Sequence, residues 1–147
     1  MQSVAERKFL IFESHELLYA FDLAHVSEVA DPMPMWPVPL APACCPGAIH
    51  IHGSIIAAMD LAAFMGLPQC RNPEKMIVLR KEVAALSFLV ARIIRIAAER
   101  EAEIHETSDE GFTCSRLVLP EGTIMLLDVN KIVRAAENMM SGLPQYS

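Results

Sequence analysis

The apolar residues of this chain come in short runs that polar residues and turn formers interrupt. Runs such as Phe9–Phe12 and Met76–Leu79 are rich in Ile, Val, Leu and Phe, which is typical of β-strands. Gly53-Ser54 and Pro120-Glu121-Gly122 lie between such runs and predict hairpin turns. The proline-rich stretch 31–47 predicts an extended connection, with Trp36 packed on the body of the protein.

The hydrophobic pattern occurs twice along the chain. Residues 9–29 align without a gap with residues 76–96, so that Phe21 meets Phe88. In both copies an apolar run is followed by polar residues and then by a second run that alternates. A repeat at about half the chain length predicts two similar structural units.

The later part of each copy also matches, because residues 56–65 align with residues 124–133. Asp60 and Asp128 fall on each other, and a short segment with helical periodicity follows each of them. An Asp at such a position accepts hydrogen bonds from the first backbone N–H groups of a helix, so both are predicted to be N-caps. A catalytic carboxylate is the alternative interpretation of each.

Two copies of about five short strands predict a mainly β fold of two small barrels side by side. The first barrel is expected at about residues 9–70 and the second at about residues 76–134. One segment leaves an alternative open, because residues 83–103 also have a helical periodicity. We keep a helix over Ala97–Glu103 as that alternative.

Composition and charge exclude several classes of protein. The chain has 147 residues, of which 53% are hydrophobic and 20% are charged, so it has enough apolar material for one compact domain. The net charge is −6 and no basic cluster is present, which argues against a nucleic acid or an anionic membrane as partner. The longest apolar run, 83–98, contains Arg92 and Arg95 and makes a poor membrane span.

The N-terminal segment 1–8 has no apolar signal-peptide core, so we expect a cytoplasmic protein with reduced thiols. The chain has four cysteines, of which Cys44 and Cys45 are adjacent, and no two of them form a CxxC pair. Together with His50 and His52 they are candidate metal ligands or a Cys/His catalytic pair. Strand alternation, however, places the two histidines on the face opposite Ile49 and Ile51, which favours a surface that faces solvent or a partner.

The order of these motifs resembles the CheW-like proteins, the coupling proteins of bacterial chemotaxis. Their pattern is an apolar strand, a second strand, "V.EV" and then "P..P...G.INLRG.I.P..DL...LG". The matching positions here are Val26, Glu28, Val29, Pro39, Pro42, Gly47, Ile49, Ile51, Gly53, Ile55, Asp60, Leu61, Gly66 and Leu67. The resemblance covers residues 8–136. It predicts a tail at 1–8, one CheW-like domain at 9–136, and a helix end and tail at 137–147.

The resemblance implies two SH3-like five-stranded β-barrels with short helices, a C-terminal helix and an apolar groove. It implies no catalysis and no cofactor. The expected partners are the regulatory domain of a CheA-type histidine kinase and the cytoplasmic tip of a chemoreceptor. The expected partner-binding residues are Val26, Glu28, Val29, His50, His52 and Ile55.

This chain departs from the family pattern where relatives carry "NLRG", because it has "HIHG" instead. His52 therefore replaces an Arg, which is a permanent cation with a forked set of donors. We expect this position to change the choice of partner. Two other hypotheses remain: a metal- or ligand-responsive regulator that uses Cys44, Cys45, His50 and His52, and a paralogue that binds only the kinase.

Overall fold

The computed structural model describes residues 6–107 and 111–141. Within them lie eleven strands, two α-helices and two short 3-10 turns at Leu23–His25 and Glu99–Glu101. The strands are β1 (Lys8–Ser14), β2 (Leu17–Asp22), β3 (Val26–Ala30), β4 (Gly47–Ile51), β5 (Ser54–Asp60), β6 (Lys75–Leu79), β7 (Leu86–Val90), β8 (Arg92–Ala98), β9 (Glu103–Glu106), β10 (Thr113–Leu119) and β11 (Gly122–Leu127). The helices are α1 (Leu61–Phe64) and α2 (Val129–Ser141).

The strands form two sheets. The six-stranded sheet has the order β8-β1-β2-β11-β10-β9, and the five-stranded sheet has the order β3-β6-β7-β5-β4. The mainly β fold of two SH3-like subdomains is thus confirmed, with one difference. Strand β9 adds a sixth strand to one sheet because Glu103–Glu106 pairs with β10.

The two sheets exchange strands between the halves of the chain. Each sheet combines the first two strands of one repeat with the later strands of the other repeat. In each sheet one parallel pair joins the two sets of strands: β2 pairs with β11, and β7 pairs with β5. Once repeat-equivalent strands are matched, both sheets have the same strand order. The predicted division into barrels at 9–70 and 76–134 is therefore wrong, because the repeat reveals similar units but not which strands pair.

Three apolar clusters hold the sheets together. In β1, Phe9 and Ile11 belong to a cluster within the six-stranded sheet, whereas Leu10 and Phe12 belong to the largest cluster. That largest cluster combines residues of both sheets with the buried side of α2. A third cluster around Ile49 lies within the five-stranded sheet. Strand β1 is therefore buried on both faces, which explains its continuous run of apolar residues.

Both predicted helix caps are confirmed. The carboxylate of Asp60 accepts a 3.1 Å hydrogen bond from the N–H of Ala63, and that of Asp128 accepts a 3.1 Å bond from the N–H of Lys131. The alternative helix over 97–103 is not observed, since β8 continues to Ala98 and only a 3-10 turn follows. Neither described helix is long and apolar enough to cross a membrane.

The proline-rich connection is extended, as predicted, but Trp36 is not packed inside. Its backbone forms two 2.8 Å hydrogen bonds with Ala48 of β4, while its side chain is left outside and the residue is 59% exposed. Gly47 permits this approach, because a Cβ there would lie 2.6 Å from the carbonyl oxygen of Trp36. Backbone pairing rather than ring burial thus positions this segment.

Candidate partner-docking site

Glu28 and His52 connect the two edges of the five-stranded sheet. Glu28 lies on edge strand β3, and His52 lies in the turn that joins edge strand β4 to β5. Their side chains meet, with 2.7 Å between Nε2 of His52 and Oε1 of Glu28. Because these strands lie at opposite edges of the sheet, this contact requires the sheet to curl into a barrel.

The turn that presents His52 is tight. His52 and Gly53 both have positive φ angles, 49° and 80°, in a two-residue hairpin loop. Positive φ at both central positions is the geometry of a type I′ turn. Glycine adopts it without cost, whereas His52 does so under mild strain. The predicted turn at Gly53-Ser54 is therefore displaced by one residue, because Ser54 already pairs with Ile51.

A shallow cleft of about 600 Å³ adjoins this pair. Glu28, His52 and Ile55 line the cleft, and Ile55 is 71% exposed, an unusual position for a large aliphatic side chain. Arg80 and Lys81, from the loop between β6 and β7, also line it. Sequence reasoning missed these two cations, although the polar residues between the two apolar runs of the second repeat were a usable signal.

The other predicted site residues have different environments. Val26 is only 6% exposed and belongs to the largest core cluster, so its predicted role at the surface is wrong. Burial alternates along β3, so Val29, three positions after Val26, faces outward. His50 is exposed on β4, as the alternation of the strand predicted, but it does not line the cleft.

The four residues of the alternative metal site do not form a metal-binding group in the described part of the chain. Cys44 and Cys45 are buried, and burial is the main cause that raises the pKa of both thiols. The Sγ of Cys45 contacts the carbonyl oxygen of Gly47 at 3.6 Å. A thiol with a raised pKa is a poor nucleophile and a poor metal ligand. Within residues 6–107 and 111–141 no three His, Cys, Asp or Glu side chains are grouped as metal ligands.

A second ion pair closes the six-stranded sheet. Arg95 on edge strand β8 donates to the carboxylate of Glu121, which lies in the turn between β10 and β11. Arg95 also donates to Glu101 at 3.1 Å. The bond from Arg95 lowers the pKa of the Glu121 carboxyl, and a hydrogen bond from the N–H of Ala98 is the main cause that lowers the pKa of Glu101.

The double-barrel fold and its motifs can be compared with known proteins. A model of the CheW-like domain matches residues 8–137. The chain belongs to the CheW-like family. The chemotaxis protein CheW of Thermotoga maritima is 29% identical over 136 residues, which are 89% of this chain and 90% of that protein.

The CheW-like fold is also found among solved structures. The scaffolding protein TtCheW from Thermoanaerobacter tengcongensis superposes with a TM-score of 0.73 at 19% identity, over 87% of this chain and 92% of that one. The CheW-like family consists of non-catalytic scaffolds of chemotaxis. In this CheW-like chain, the position of the family Arg is occupied by His52, in hydrogen-bonding contact with Glu28.

Proposed function

We propose that this CheW-like chain is a cytoplasmic, non-catalytic adaptor that couples chemoreceptor-type sensors to a CheA-type histidine kinase. The observation that carries the proposal, beside the family match, is the exposed Ile55 next to the Glu28–His52 pair. An apolar anchor beside a polar pair is the usual composition of a protein interface. The kinase regulatory domain docks on this surface.

The receptor tip has a different place to bind. A small groove of about 210 Å³ lies between α2 and the start of β7, and its lining is mostly alanine. Ala85, Ala136 and Met140 are among the residues that line the groove. Small residues let a helix backbone approach closely, and methionine adapts to the shape of its partner. A helical receptor tip suits such a groove.

Titration calorimetry tests the proposed kinase binding, with the CheA-type regulatory domain encoded in the same genome as ligand. We expect Ile55→Asp to weaken binding at least tenfold, because it places a charge at the proposed apolar anchor. Leu17→Asp is the matched control, since Leu17 is also an exposed aliphatic residue but lies on β2 of the other sheet. Equal affinities for the wild type and the Ile55→Asp variant would refute the docking surface.

Co-sedimentation with receptor-containing membranes tests the proposed receptor binding. Met140→Arg places a long charged side chain in the groove and should reduce sedimentation, while leaving kinase affinity unchanged, because Met140 lines this groove but not the cleft beside Ile55. Retention of kinase binding together with no receptor binding by the wild type would instead support the paralogue that binds only the kinase. Binding of neither partner would refute the proposed adaptor.

A further inference from the structure

The ring of His52 has one nitrogen that is bonded and one that is free. Nε2 lies 2.7 Å from Oε1 of Glu28, and the side chain of His52 is 76% exposed. An ionised carboxylate only accepts hydrogen bonds, so Nε2 carries the hydrogen of this bond. Nδ1 has no hydrogen-bond partner among the described residues. The contact with Glu28 therefore determines which ring nitrogen is available to a docked protein.

The free nitrogen changes its hydrogen-bonding role when the ring takes up a proton. In the neutral ring with its hydrogen on Nε2, Nδ1 is an acceptor, whereas both nitrogens of the imidazolium are donors. Histidine makes this change between about pH 5 and pH 8. His52 thus presents a lone pair in mildly alkaline solution and a positively charged N–H in mildly acidic solution. The bond to Glu28 is kept in both forms, because Nε2 is a donor in each.

Groups of both charge signs line the cleft with His52. Glu28 on β3 favours the charged form of the ring. From the loop between β6 and β7, Glu82 also favours that form, whereas Arg80 and Lys81 oppose it. The hairpin that carries His52 adds no other charged residue to the lining of the cleft. A carboxylate of a docked protein would add one more group that favours the charged form.

We propose that protonation of His52 controls docking of the kinase at this cleft, through a carboxylate of the kinase that binds Nδ1. This inference rests on the proposed adaptor function and adds a regulation to its kinase-binding site. The neutral ring turns a lone pair toward that carboxylate, whereas the imidazolium donates a charge-assisted hydrogen bond to it. The affinity therefore falls as the pH rises from about 5.5 to 8. An Arg at this position keeps its charge over the same range and gives no such dependence.

The rest of the cleft also suits an acidic partner group. The side chains of Arg80 and Lys81 are exposed there and form no ion pair within the described part of the chain. Protonated His52 adds a third cation to these two, while Glu28 is already bonded to the ring. Complementary charges across an interface select the partner more than they raise its affinity. The proton on His52 thus adjusts the attraction between this cleft and an acidic surface of the kinase.

Titration calorimetry between pH 5.5 and 8 tests the proposal, with the full chain and the regulatory domain of the CheA-type kinase encoded in the same genome. His52→Arg keeps the charge and removes the titrating group, so it measures the pH dependence of all other groups, those of the kinase included. Relative to this variant, the wild type should bind about fivefold more tightly at pH 5.5 than at pH 8, the size expected of one exposed ion pair.

His15→Gln is the matched control. His15 is also an exposed histidine with a positive φ angle, 51°, in a two-residue hairpin loop, but this loop joins β1 and β2 of the other sheet. The His15→Gln variant should therefore keep the pH dependence of the wild type. His52→Gln retains a neutral donor for Glu28 and should bind weakly over the whole range.

Proton uptake gives a second measurement of the same event. Calorimetry in two buffers of different ionisation enthalpy reports how many protons enter the complex. A fivefold dependence corresponds to uptake of about 0.4 proton near pH 7 in the wild type, beyond the uptake by His52→Arg. This readout depends on the titration of His52 itself and not on the shape of the turn.

The outcomes separate this regulation from the adaptor function. Equal pH dependence of the wild type and His52→Arg, or tighter relative binding of the wild type at pH 8, overturns the regulation and leaves the adaptor function intact. Loss of the pH dependence in His15→Gln overturns it as well. Absence of binding by both the wild type and His52→Arg at every pH refutes the adaptor function and the regulation with it. Circular dichroism at each pH verifies that all variants are folded.

Discussion

Replacement of His52 by Arg should strengthen binding to a conventional CheA-type regulatory domain. His52 is the position at which relatives carry Arg, and its side chain is 76% exposed beside Glu28. The substitution introduces a permanent cation with five N–H donors. The guanidinium can keep one bond to Glu28 and still offer donors to a carboxylate of the kinase. The turn itself should tolerate the change, since His52 already has a positive φ angle.

The expected gain follows from the solvent exposure of the site. Two unit charges about 4 Å apart attract each other by roughly 4 kcal/mol near a protein surface with an effective dielectric constant of about 20. The loss of up to about 2 kcal/mol of Arg side-chain entropy and the cost of desolvation offset most of this attraction. A net gain of about 1 kcal/mol remains, which corresponds to a roughly fivefold lower Kd.

Titration calorimetry at low and high salt measures this gain, with His50→Arg as the matched control. His50 is exposed two residues away on β4 but makes no contact with Glu28 among the described hydrogen bonds. The same charge at His50 should therefore change the affinity much less. Unchanged or weaker binding of His52→Arg, or an equal gain from His50→Arg, would refute the idea that this position selects the partner.

Three further predictions concern the fold. Glu16→Gly should stabilise the protein by about 1 kcal/mol in chemical denaturation, because Glu16 has a φ of 63° in the turn between β1 and β2; an unchanged midpoint would contradict it. Asp60→Ala should cost about 2–3 kcal/mol and Asp128→Ala about 1 kcal/mol, because Asp60 also accepts a 2.9 Å bond from the N–H of Cys70. Equal losses would refute this order. Arg95→Met should make thermal stability less sensitive to acid, since the hydrogen bond from Arg95 is the main cause that lowers the pKa of the Glu121 carboxyl from 4.5. Its contribution is present above about pH 4.5 and lost as the pH falls through the folded-state pKa, so an unchanged melting profile below that pH would contradict the prediction.

Local features of this fold follow from the sequence, whereas contacts between distant segments do not. The caps at Asp60 and Asp128 were predictable because a cap depends on the few residues that follow it. The outward position of His50 followed from the two-residue period of a strand. The burial of Val26 was missed because the family motif was taken as a single surface, although a two-residue period places Val26 and Val29 on opposite faces of β3.

The Arg95–Glu121 pair is a contact between distant segments that the sequence did not predict. Nothing in the sequence around Arg95 indicates that β8 will lie beside β1, since the repeat suggested pairing within each half. The sequence indicated the position of Arg95 only indirectly, because the repeat aligns Arg95 with Glu28. Glu28 and Arg95 occupy equivalent places on the two sheets because both sheets have the same order of equivalent strands.

The exchange of strands has a consequence for the proposed adaptor and its two proposed docking surfaces. Each sheet contains strands from both halves of the chain, and the largest apolar cluster joins both sheets and α2. Neither barrel can therefore unfold or rotate alone without exposing that shared core. Burial of apolar surface at about 25 cal/mol per Å² makes such exposure costly. The proposed kinase-docking cleft beside Ile55 and the proposed receptor groove beside α2 thus belong to one rigid unit, and no hinge separates them.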